Sequence, residues 1–232
     1  MGMTKLRNVA VGVIALLSVG ALAACGLDDL TENREENAYE VTDAVTKLDI
    51  QAQAGAVTVR AGTGPIKVKE ILRYNGSKPK ATHVVADGTL RLVDGGCSGI
   101  RNCGVEYEVT VPATLGVTVK TSAGAVDASG LSGEVSLETN AGSVEALTMG
   151  TKKLRIRSDA GRIRAEFTVV PDDVDVQTSA GSVAVVVPSG STYAVDAKTS
   201  AGSRDITVQT DPASGHKIRA ETSAGKIEVR NG

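Results

Sequence analysis

Apolar residues alternate with polar ones along most of this chain, and the alternation stops at a glycine at regular intervals. In one copy, Val117 and Val119 are followed in the same phase by Thr121, and Ala123-Gly124 then ends the run. Six copies of this frame have their glycines at Gly124, Gly142, Gly161, Gly181, Gly202 and Gly225, and a seventh copy lies upstream at Gly55. The six glycines are spaced 18, 19, 20, 21 and 23 residues apart. Such a short period predicts a repeat architecture in which neighbouring units share one core.

The period of the alternation identifies the repeated element as a strand. Apolar residues recur at i and i+2, as in a strand with one buried face, and no window keeps the 3.6-residue period of a helix. Glycine adopts positive φ without steric cost, so the repeated Ala-Gly predicts a tight corner after each strand. A period near 20 residues accommodates two or three short strands per coil. We therefore predict an all-β, single-domain β-solenoid resembling a parallel β-helix, with a β-sandwich as the alternative fold.

The outward positions of the predicted strands carry charges that alternate from copy to copy. One such column reads Lys120, Glu138, Arg157, Gln177, Lys198 and Glu221. Neighbouring strands of a sheet lie about 4.8 Å apart, so like charges in register would repel each other and opposite charges would attract. The alternation favours parallel, in-register stacking of successive coils, which a sandwich of independent hairpins would not need.

A second column of the repeat consists of hydroxyl residues in the phase of the buried Val and Leu. Its members are Thr121, Thr139, Ser158, Thr178, Thr199 and Thr222. An outward array of this kind would suit the binding of ice or of a regular polymer. The i+2 phase instead predicts that these side chains point inward near the corner, where hydroxyls hydrogen-bond along the stack or to the turn backbone.

The copy around Gly202 departs from the frame. Arg204 stands where the other copies have Val or Ile, and the spacing from Gly202 to the next turn glycine is the longest of the series, 23 residues. We expect a bulge at residues 203–205 that turns Arg204 outward and lets Ile206 fill the core.

The N-terminus has the features of a bacterial export signal. Lys5 and Arg7 precede an apolar stretch, residues 9–23, that is too short for a comfortable transmembrane span. The stretch ends in Leu22-Ala23-Ala24-Cys25, which resembles a lipobox, where the cysteine thiol is acylated and the signal is cut just before it. We predict a lipoprotein signal peptide at 1–24, lipidation of Cys25 and an acidic flexible tether over 25–43. The alternative is an ordinary signal peptide with a chance cysteine.

The remaining cysteines suit a disulfide. If Cys25 carries lipid, Cys97 and Cys103 are left, and an exported protein folds in an oxidising compartment. We predict that a Cys97–Cys103 disulfide closes a small loop. Metal binding is the weaker alternative, because His83 and His216 are distant in sequence and no second cysteine pair completes a tetrahedral site. We expect neither a metal nor a cofactor.

The body of the chain, residues 44–232, forms one predicted domain. No Pro/Gly/Ser-rich linker divides it. Residues 113–232 hold the regular repeats, whereas residues 44–112 are less regular. We expect this first section to cap the exposed end of the stack.

These motifs together resemble those of a bacterial adhesin-like family of unknown function. The resemblance covers residues 44–232 and rests on the lipobox, the cysteine pair, Val109-Thr110-Val111-Pro112 and the ladder that follows. Members of that family carry repeated strand-Ser-Gly-strand units and are often anchored at the surface or membrane. The resemblance implies a β-solenoid and an exported location, and it transfers no catalytic residues. Where the family commonly has an acidic residue after the turn glycine, this chain has Ala125, Ser143, Arg162 and Lys226, which disfavours an acidic, cation-binding edge.

A carbohydrate-active enzyme, a polysaccharide lyase or hydrolase on a β-helix, is the alternative function. Such enzymes need paired carboxylates and aromatic platforms for sugars. The chain has one Phe, four Tyr and no Trp. The candidate carboxylates, each facing a basic neighbour in the predicted ladder, are Glu134, Glu138, Asp173 and Asp175. The turn serines occupy equivalent positions without a histidine, so none is singled out as a nucleophile: Ser122, Ser179, Ser200 and Ser223.

One predicted coil concentrates basic residues. They are Lys152, Lys153, Arg155, Arg157, Arg162 and Arg164. The net charge of −2 and the scarcity of aromatic residues disfavour nucleic-acid binding. Acidic residues flank this coil on both sides, which favours intramolecular pairing.

The sequence therefore predicts a non-catalytic surface, scaffold or binding module of adhesin-like type. We expect it to be lipid-anchored on the extracytoplasmic face of a bacterial cell membrane. Its expected partners are the membrane, through the N-terminal lipid, and a cell-surface protein or polysaccharide, with no nucleic acid.

Overall fold

A computed structural model describes residues 32–96 and 103–232, and over these ranges the regular elements are all strands. The first seven are β1 (Asn33–Val41), β2 (Lys47–Ala54), β3 (Val57–Gly62), β4 (Ile66–Tyr74), β5 (Ala81–Ala86), β6 (Thr89–Asp94) and β7 (Cys103–Pro112). The next six are β8 (Gly116–Ala123), β9 (Val126–Ser129), β10 (Val135–Ala141), β11 (Val144–Met149), β12 (Lys153–Ala160) and β13 (Ile163–Phe167). The last six are β14 (Asp173–Ala180), β15 (Val183–Val187), β16 (Ala194–Ala201), β17 (Arg204–Ile206), β18 (Lys217–Ala224) and β19 (Ile227–Asn231). Within the described ranges, no helix has the length and apolar character needed to cross a membrane.

The strands form two sheets with the core between them. Sheet A has ten strands in the order β1-β4-β7-β3-β9-β11-β13-β15-β19-β17, and sheet B has nine in the order β16-β18-β14-β12-β10-β8-β2-β6-β5. In β2–β3 and in every coil from β8–β9 onward, the chain runs along a strand of sheet B, turns at a glycine corner and returns along a shorter strand of sheet A. Neighbouring coils pair in parallel and in register, as in Val135↔Leu154 and Val144↔Ile163. The predicted all-β solenoid is confirmed.

Strand alternation places the predicted residues in the core. Val135, Leu137 and Ile156 are fully buried, while Glu138 and Arg157 lie on the outer face of sheet B. Because the coils stack in register, these side chains form continuous apolar columns that run through one core. The predicted phase of the repeat is therefore confirmed.

The spatial order of the coils departs from the chain order at both ends of the stack. Coil β2–β3 lies between β6–β7 and β8–β9, and coil β18–β19 lies between β14–β15 and β16–β17. Stacking of successive coils is thus confirmed from β8 to β15 and is wrong for the last two coils. In chain order Asp175 would lie beside Asp196. The observed order places Arg219 between the two carboxylates, which converts repulsion into attraction.

Antiparallel strands cap one end of the stack. β1 pairs with β4, β4 with β7, and β5 with β6, and each of these pairings is antiparallel. The predicted capping section at residues 44–112 was too broad, because β2 and β3 form a regular coil with Leu48 in register with Val117. The reason is that coil β2–β3 is sandwiched between two neighbours and buries the same apolar columns.

The predicted flexible tether over residues 25–43 is wrong for Asn33–Val41, which is strand β1. Its acidic side chains pair with the basic side chains of β4 and the turn after it: Glu36 lies 3.3 Å from Lys69, and Glu35 lies 2.5 Å from Lys78. Its composition resembles that of a solvated segment because the partners are non-local in sequence. The part of the predicted tether before residue 32, with the signal peptide, lies outside the described residues.

The predicted bulge at residues 203–205 is also wrong. Arg204 is in register with Ile227, and Ile206 with Val229, so no extra residue interrupts the pairing. Arg204 stays exposed because its coil is the last of the stack and its inward position is not enclosed. Ile206 packs, half-buried, against the core as expected. The long spacing after Gly202 comes from the loop at 207–216, where Thr210 pairs with Tyr193.

Candidate functional site

A groove runs over the outer face of sheet B across five adjacent strands, β10, β12, β14, β18 and β16. It continues to the open end of the core, where Arg204 and Ile206 of β17 line it. It encloses about 1250 Å³. Its charged lining residues are Glu134, Lys153, Arg155, Asp173, Asp175, Asp196, Arg204, Lys217 and Arg219. Tyr193, Thr210 and Pro212 line it at the last coil. Because the strands are in register, the groove presents its side chains at the regular strand spacing of about 4.8 Å.

Charges alternate along the groove in the observed order of the coils. The first column reads Glu134, Lys153, Asp173, Lys217, and the second reads Arg155, Asp175, Arg219, Asp196. A third column beside the groove reads Lys120, Glu138, Arg157, Gln177, Glu221, Lys198. The predicted alternation is therefore present, and the exchange of the last two coils improves it.

Asp175 is the most strongly paired carboxylate of the groove. Arg157 donates two hydrogen bonds to it, from Nη1 to Oδ1 at 3.0 Å and from Nη2 to Oδ2 at 2.7 Å. Arg155 Nε lies 3.8 Å from Oδ2. Partial burial by itself would raise the pKa of the Asp175 carboxyl, but the Arg157 hydrogen bonds, with the charges of the neighbouring arginines, hold it below its usual value. Asp175 is thus an ionised carboxylate whose charge is balanced by arginine side chains.

The predicted turn glycines lie at one corner of the stack. Gly142 has a φ of 154°, and a Cβ at this position would overlap the carbonyl oxygen of Gly124 on the neighbouring coil. The other turn glycines also have positive φ and face a backbone carbonyl group in the same way: Gly55, Gly124, Gly161, Gly181, Gly202 and Gly225. These glycines are therefore required by coil-to-coil contact as well as by the turn.

The hydroxyl column lies inside that corner, as predicted. Thr139 is 1 % exposed, and its Oγ1 donates to the carbonyl oxygen of Gly124 at 3.3 Å. The same bond to a turn glycine of the adjacent coil recurs at Ser158, Thr178, Thr199 and Thr222. These five hydroxyls thus stabilise contacts between coils, whereas Thr121 donates to the carbonyl oxygen of Ala123 in its own strand. The column does not form an outward Thr array.

The residues considered for catalysis are dispersed or paired. Glu138 lies 3.2 Å from Lys120, and Asp173 stands in register between Lys153 and Lys217. The four turn serines are exposed at equivalent corners. Among the described residues, no group of three or more His, Cys, Asp or Glu side chains is placed to hold a metal ion.

The basic residues of coil β12–β13 mostly contact neighbouring side chains. Lys152 lies 3.8 Å from Asp172, and Arg164 lies 3.0 Å from Glu166. Arg162 donates to the Ser182 hydroxyl. With the Arg157–Asp175 pair, these contacts match the predicted intramolecular pairing.

The predicted modification sites involve three cysteines, of which the structure describes Cys103. Cys25 and Cys97 lie outside the described residues. Cys103 begins β7, with its Sγ 3.7 Å from the carbonyl oxygen of Ser77. Lipidation of Cys25 and the Cys97–Cys103 disulfide therefore stay predictions.

Sequence reasoning missed a buried polar group in the cap. Tyr39 Oη donates to Glu70 at 2.7 Å, and Glu70 is in register with the fully buried Tyr107. Burial, together with the charges of Glu70 and Asp94, raises the pKa of Tyr107. In the sequence, Glu70 and Asp94 each stand in the alternating phase of the apolar residues of their strand, and only this phase could have indicated that they are buried.

Two parallel stacks of short strands around one continuous core define this protein as a β-solenoid, with a charged groove and a glycine corner. The Toastrack DUF4097 family matches residues 45–230, and the chain belongs to that family. No curated protein matches the sequence.

Two solved structures are similar in fold. A candidate cell adhesion protein from Clostridium sporogenes is 16 % identical, with a TM-score of 0.54 over 86 % of this chain and 100 % of its own. A candidate adhesin from Bacteroides fragilis is 18 % identical, with a TM-score of 0.50 over 86 % of this chain and 97 % of its own. At these identities the similarity establishes the fold alone.

Proposed function

We propose that this protein is a lipid-anchored, extracytoplasmic, non-catalytic binding module of adhesin-like type, and that its groove holds an extended charged polymer such as a polysaccharide. The groove on sheet B carries the proposal, because it crosses five strands and presents charges at a fixed repeat. A polymer with regularly spaced charged groups can match such an array over several coils at once. The adhesin descriptions of the structural neighbours agree with this class of function.

The charge state of the groove favours binding over catalysis. Asp175, the carboxylate near the centre of the groove, forms an ion pair with Arg157 through two hydrogen bonds. This pairing makes it unsuitable as a catalytic acid or base. Lys153, Lys217 and Arg155 are exposed and can contact anionic groups of a ligand. Tyr193 is fully buried, so its ring offers no platform for a sugar.

The position of the N-terminal strand suits a membrane anchor. The described chain enters at β1, the outermost strand of the capped end, and β17 is the outermost strand of the opposite end. Ten strands of sheet A separate the ends by about 43 Å at the usual strand spacing. The chain that follows the proposed lipid site therefore continues into one end of the stack, and the groove reaches the opposite end.

The first test concerns the anchor. In a bacterial host that processes lipoproteins, Cys25→Ser should remove diacylglycerol from the protein and reduce its share in the membrane fraction at least tenfold. The measurement is intact-mass spectrometry combined with fractionation. Cys103→Ser is the matched control and should keep the lipid. Normal membrane retention of the Cys25→Ser protein would overturn the lipid anchor and leave the groove proposal to its own test.

The second test concerns the groove. Bacterial wall and capsular polysaccharides are immobilised on an array, and binding of the full chain is measured. Combined Lys153→Glu and Lys217→Glu should weaken binding at least tenfold, about 1.4 kcal/mol, because two attractive contacts become repulsive. Lys80→Glu, an exposed lysine outside the groove lining, should bind like the wild type.

Two outcomes would contradict the binding proposal. Binding that survives both groove substitutions would place the ligand elsewhere on the protein. Release of new reducing or unsaturated ends from a bound polysaccharide would instead identify a hydrolase or lyase.

A further inference from the structure

The coil β16–β17 ends the stack, and residues 209–211 cover its outer edge only at Tyr193, just before β16. β16 is the last strand of sheet B and β17 is the last strand of sheet A. Ala194 N–H donates to the carbonyl oxygen of His216 on the neighbouring coil, and backbone groups alternate between the two sides of a parallel strand. The N–H and C=O groups of Val195 and Ala197 therefore face away from the stack. Such an edge is a template for pairing with another strand.

The core is also incompletely covered at this end. Val195, Ala197 and Ile206 are only partly buried, although they pack against the core. Their register mates on the adjacent coil, Ile218, Ala220 and Val229, are at most 1 % exposed. The end coil therefore combines free backbone groups with exposed apolar surface, and both favour association.

Arg204 occupies the inward position of the last coil, on the side of the core that no further coil covers. It is in register with Ile227, and the equivalent residue of every other coil in the regular stack is Val or Ile. From sheet A, its Nη1 donates to the carbonyl oxygen of Ala197 in sheet B at 3.1 Å. The side chain thus crosses the open end of the core and satisfies one of the free edge carbonyls.

The edge strand is complementary to a second copy of itself. If two β16 strands pair antiparallel about Ala197, Asp196 of each copy stands opposite Lys198 of the other, and Val195 stands opposite Thr199. Opposite charges at directly paired positions stabilise a sheet. Two copies of Arg204 would then be enclosed between the joined cores, where an unpaired charge is costly.

We propose that coil β16–β17 is a latent surface for self-association, and that the inward-register Arg204 keeps it closed against a second copy of this chain. Inward-pointing charges at a sheet edge are a known means by which proteins prevent edge-to-edge pairing. Restoring the apolar residue of the repeat at this one position opens the surface. This surface shares Asp196 and Arg204 with the groove lining, but its test measures the mass of the protein and does not require a bound polymer.

The test compares the mass of the purified full chain and its variants by sedimentation equilibrium in density-matched detergent. The wild type should remain monomeric, and Arg204→Val should approach twice the monomer mass as concentration rises, with at least tenfold tighter association. Arg164→Val is the matched control, because Arg164 is an outward residue of central strand β13, and it should stay monomeric. Arg204→Lys keeps the charge and should also stay monomeric.

The pairing register is tested in the same experiment. Asp196→Lys added to Arg204→Val places Lys opposite Lys198 and should weaken the dimer at least tenfold, which non-specific aggregation would not show. If circular dichroism shows that the Val variant is unfolded, Arg204→Gln removes the charge with less change in shape and replaces it. A folded, uncharged Arg204 variant that stays monomeric overturns the proposal. So does a wild-type chain that dimerises as tightly as the variant.

Discussion

At the scale of single residues, the repeat combines a corner glycine with a hydroxyl residue. Gly142 lies against the carbonyl oxygen of Gly124, and Thr139 donates a hydrogen bond to that same oxygen. The absence of a Cβ lets the coils approach, and the hydroxyl satisfies a carbonyl group that the approach would otherwise bury. This pair of contacts recurs up the stack and explains why both positions repeat together.

The alternation of buried and exposed residues is testable at β14. Val176 is fully buried between Ile156 and Ala220, whereas Asp173 lies exposed on the outer face. Val176→Asp should lower the free energy of unfolding by about 3 to 5 kcal/mol, because it buries an unpaired carboxylate. Asp173→Ser should change it by less than about 0.5 kcal/mol. Urea denaturation followed by far-ultraviolet circular dichroism measures both values.

Equal losses of stability in these two variants would mean that the assigned faces of β14 are wrong. The comparison is matched because both substitutions lie on one strand, three residues apart, and each exchanges one small side chain for another.

At the scale of strands, the local sequence specifies which residues form a strand better than it specifies which strands lie beside it in the sheet. β16 and β18 have the same repeat frame, so the alternation of residues does not decide which of the two lies beside β14. The charge order favours the observed arrangement, since Arg219 lies in register between Asp175 and Asp196. β1 is a similar case, because its ladder to β4 depends on residues about thirty positions away.

Strand order is testable by cross-linking. Gln177 is in register with Glu221, and Glu221 with Lys198. Cysteines at 177 and 221 should lie about 4.8 Å apart between Cα atoms, inside the range for a disulfide, while cysteines at 177 and 198 should lie about 9.6 Å apart. Oxidation should therefore link the first pair almost completely and the second pair hardly at all, as measured by peptide mapping.

The two cysteine pairs control for each other, since all three positions lie on one outward column. Preferential linkage of 177 to 198 would show that the coils stack in chain order and would contradict the observed topology.

At the scale of the whole molecule, the two ends of the solenoid are covered in different ways. Antiparallel strands β1, β4 and β5 close one end, and at the other end the Arg204 side chain crosses the open core. The groove reaches the last coil, at the end opposite β1.

The period-2 alternation and the recurring glycine determined the strands, the buried columns and the solenoid from the sequence alone. These features depend on contacts between equivalent positions of repeated units, so one unit predicts the next. The exchange of the last coils, the pairing of β1 and the placement of Arg204 in the inward register were decided only by the tertiary structure. Each depends on which strands lie at an edge and which charges meet across it, and these are non-local properties that a local pattern does not specify.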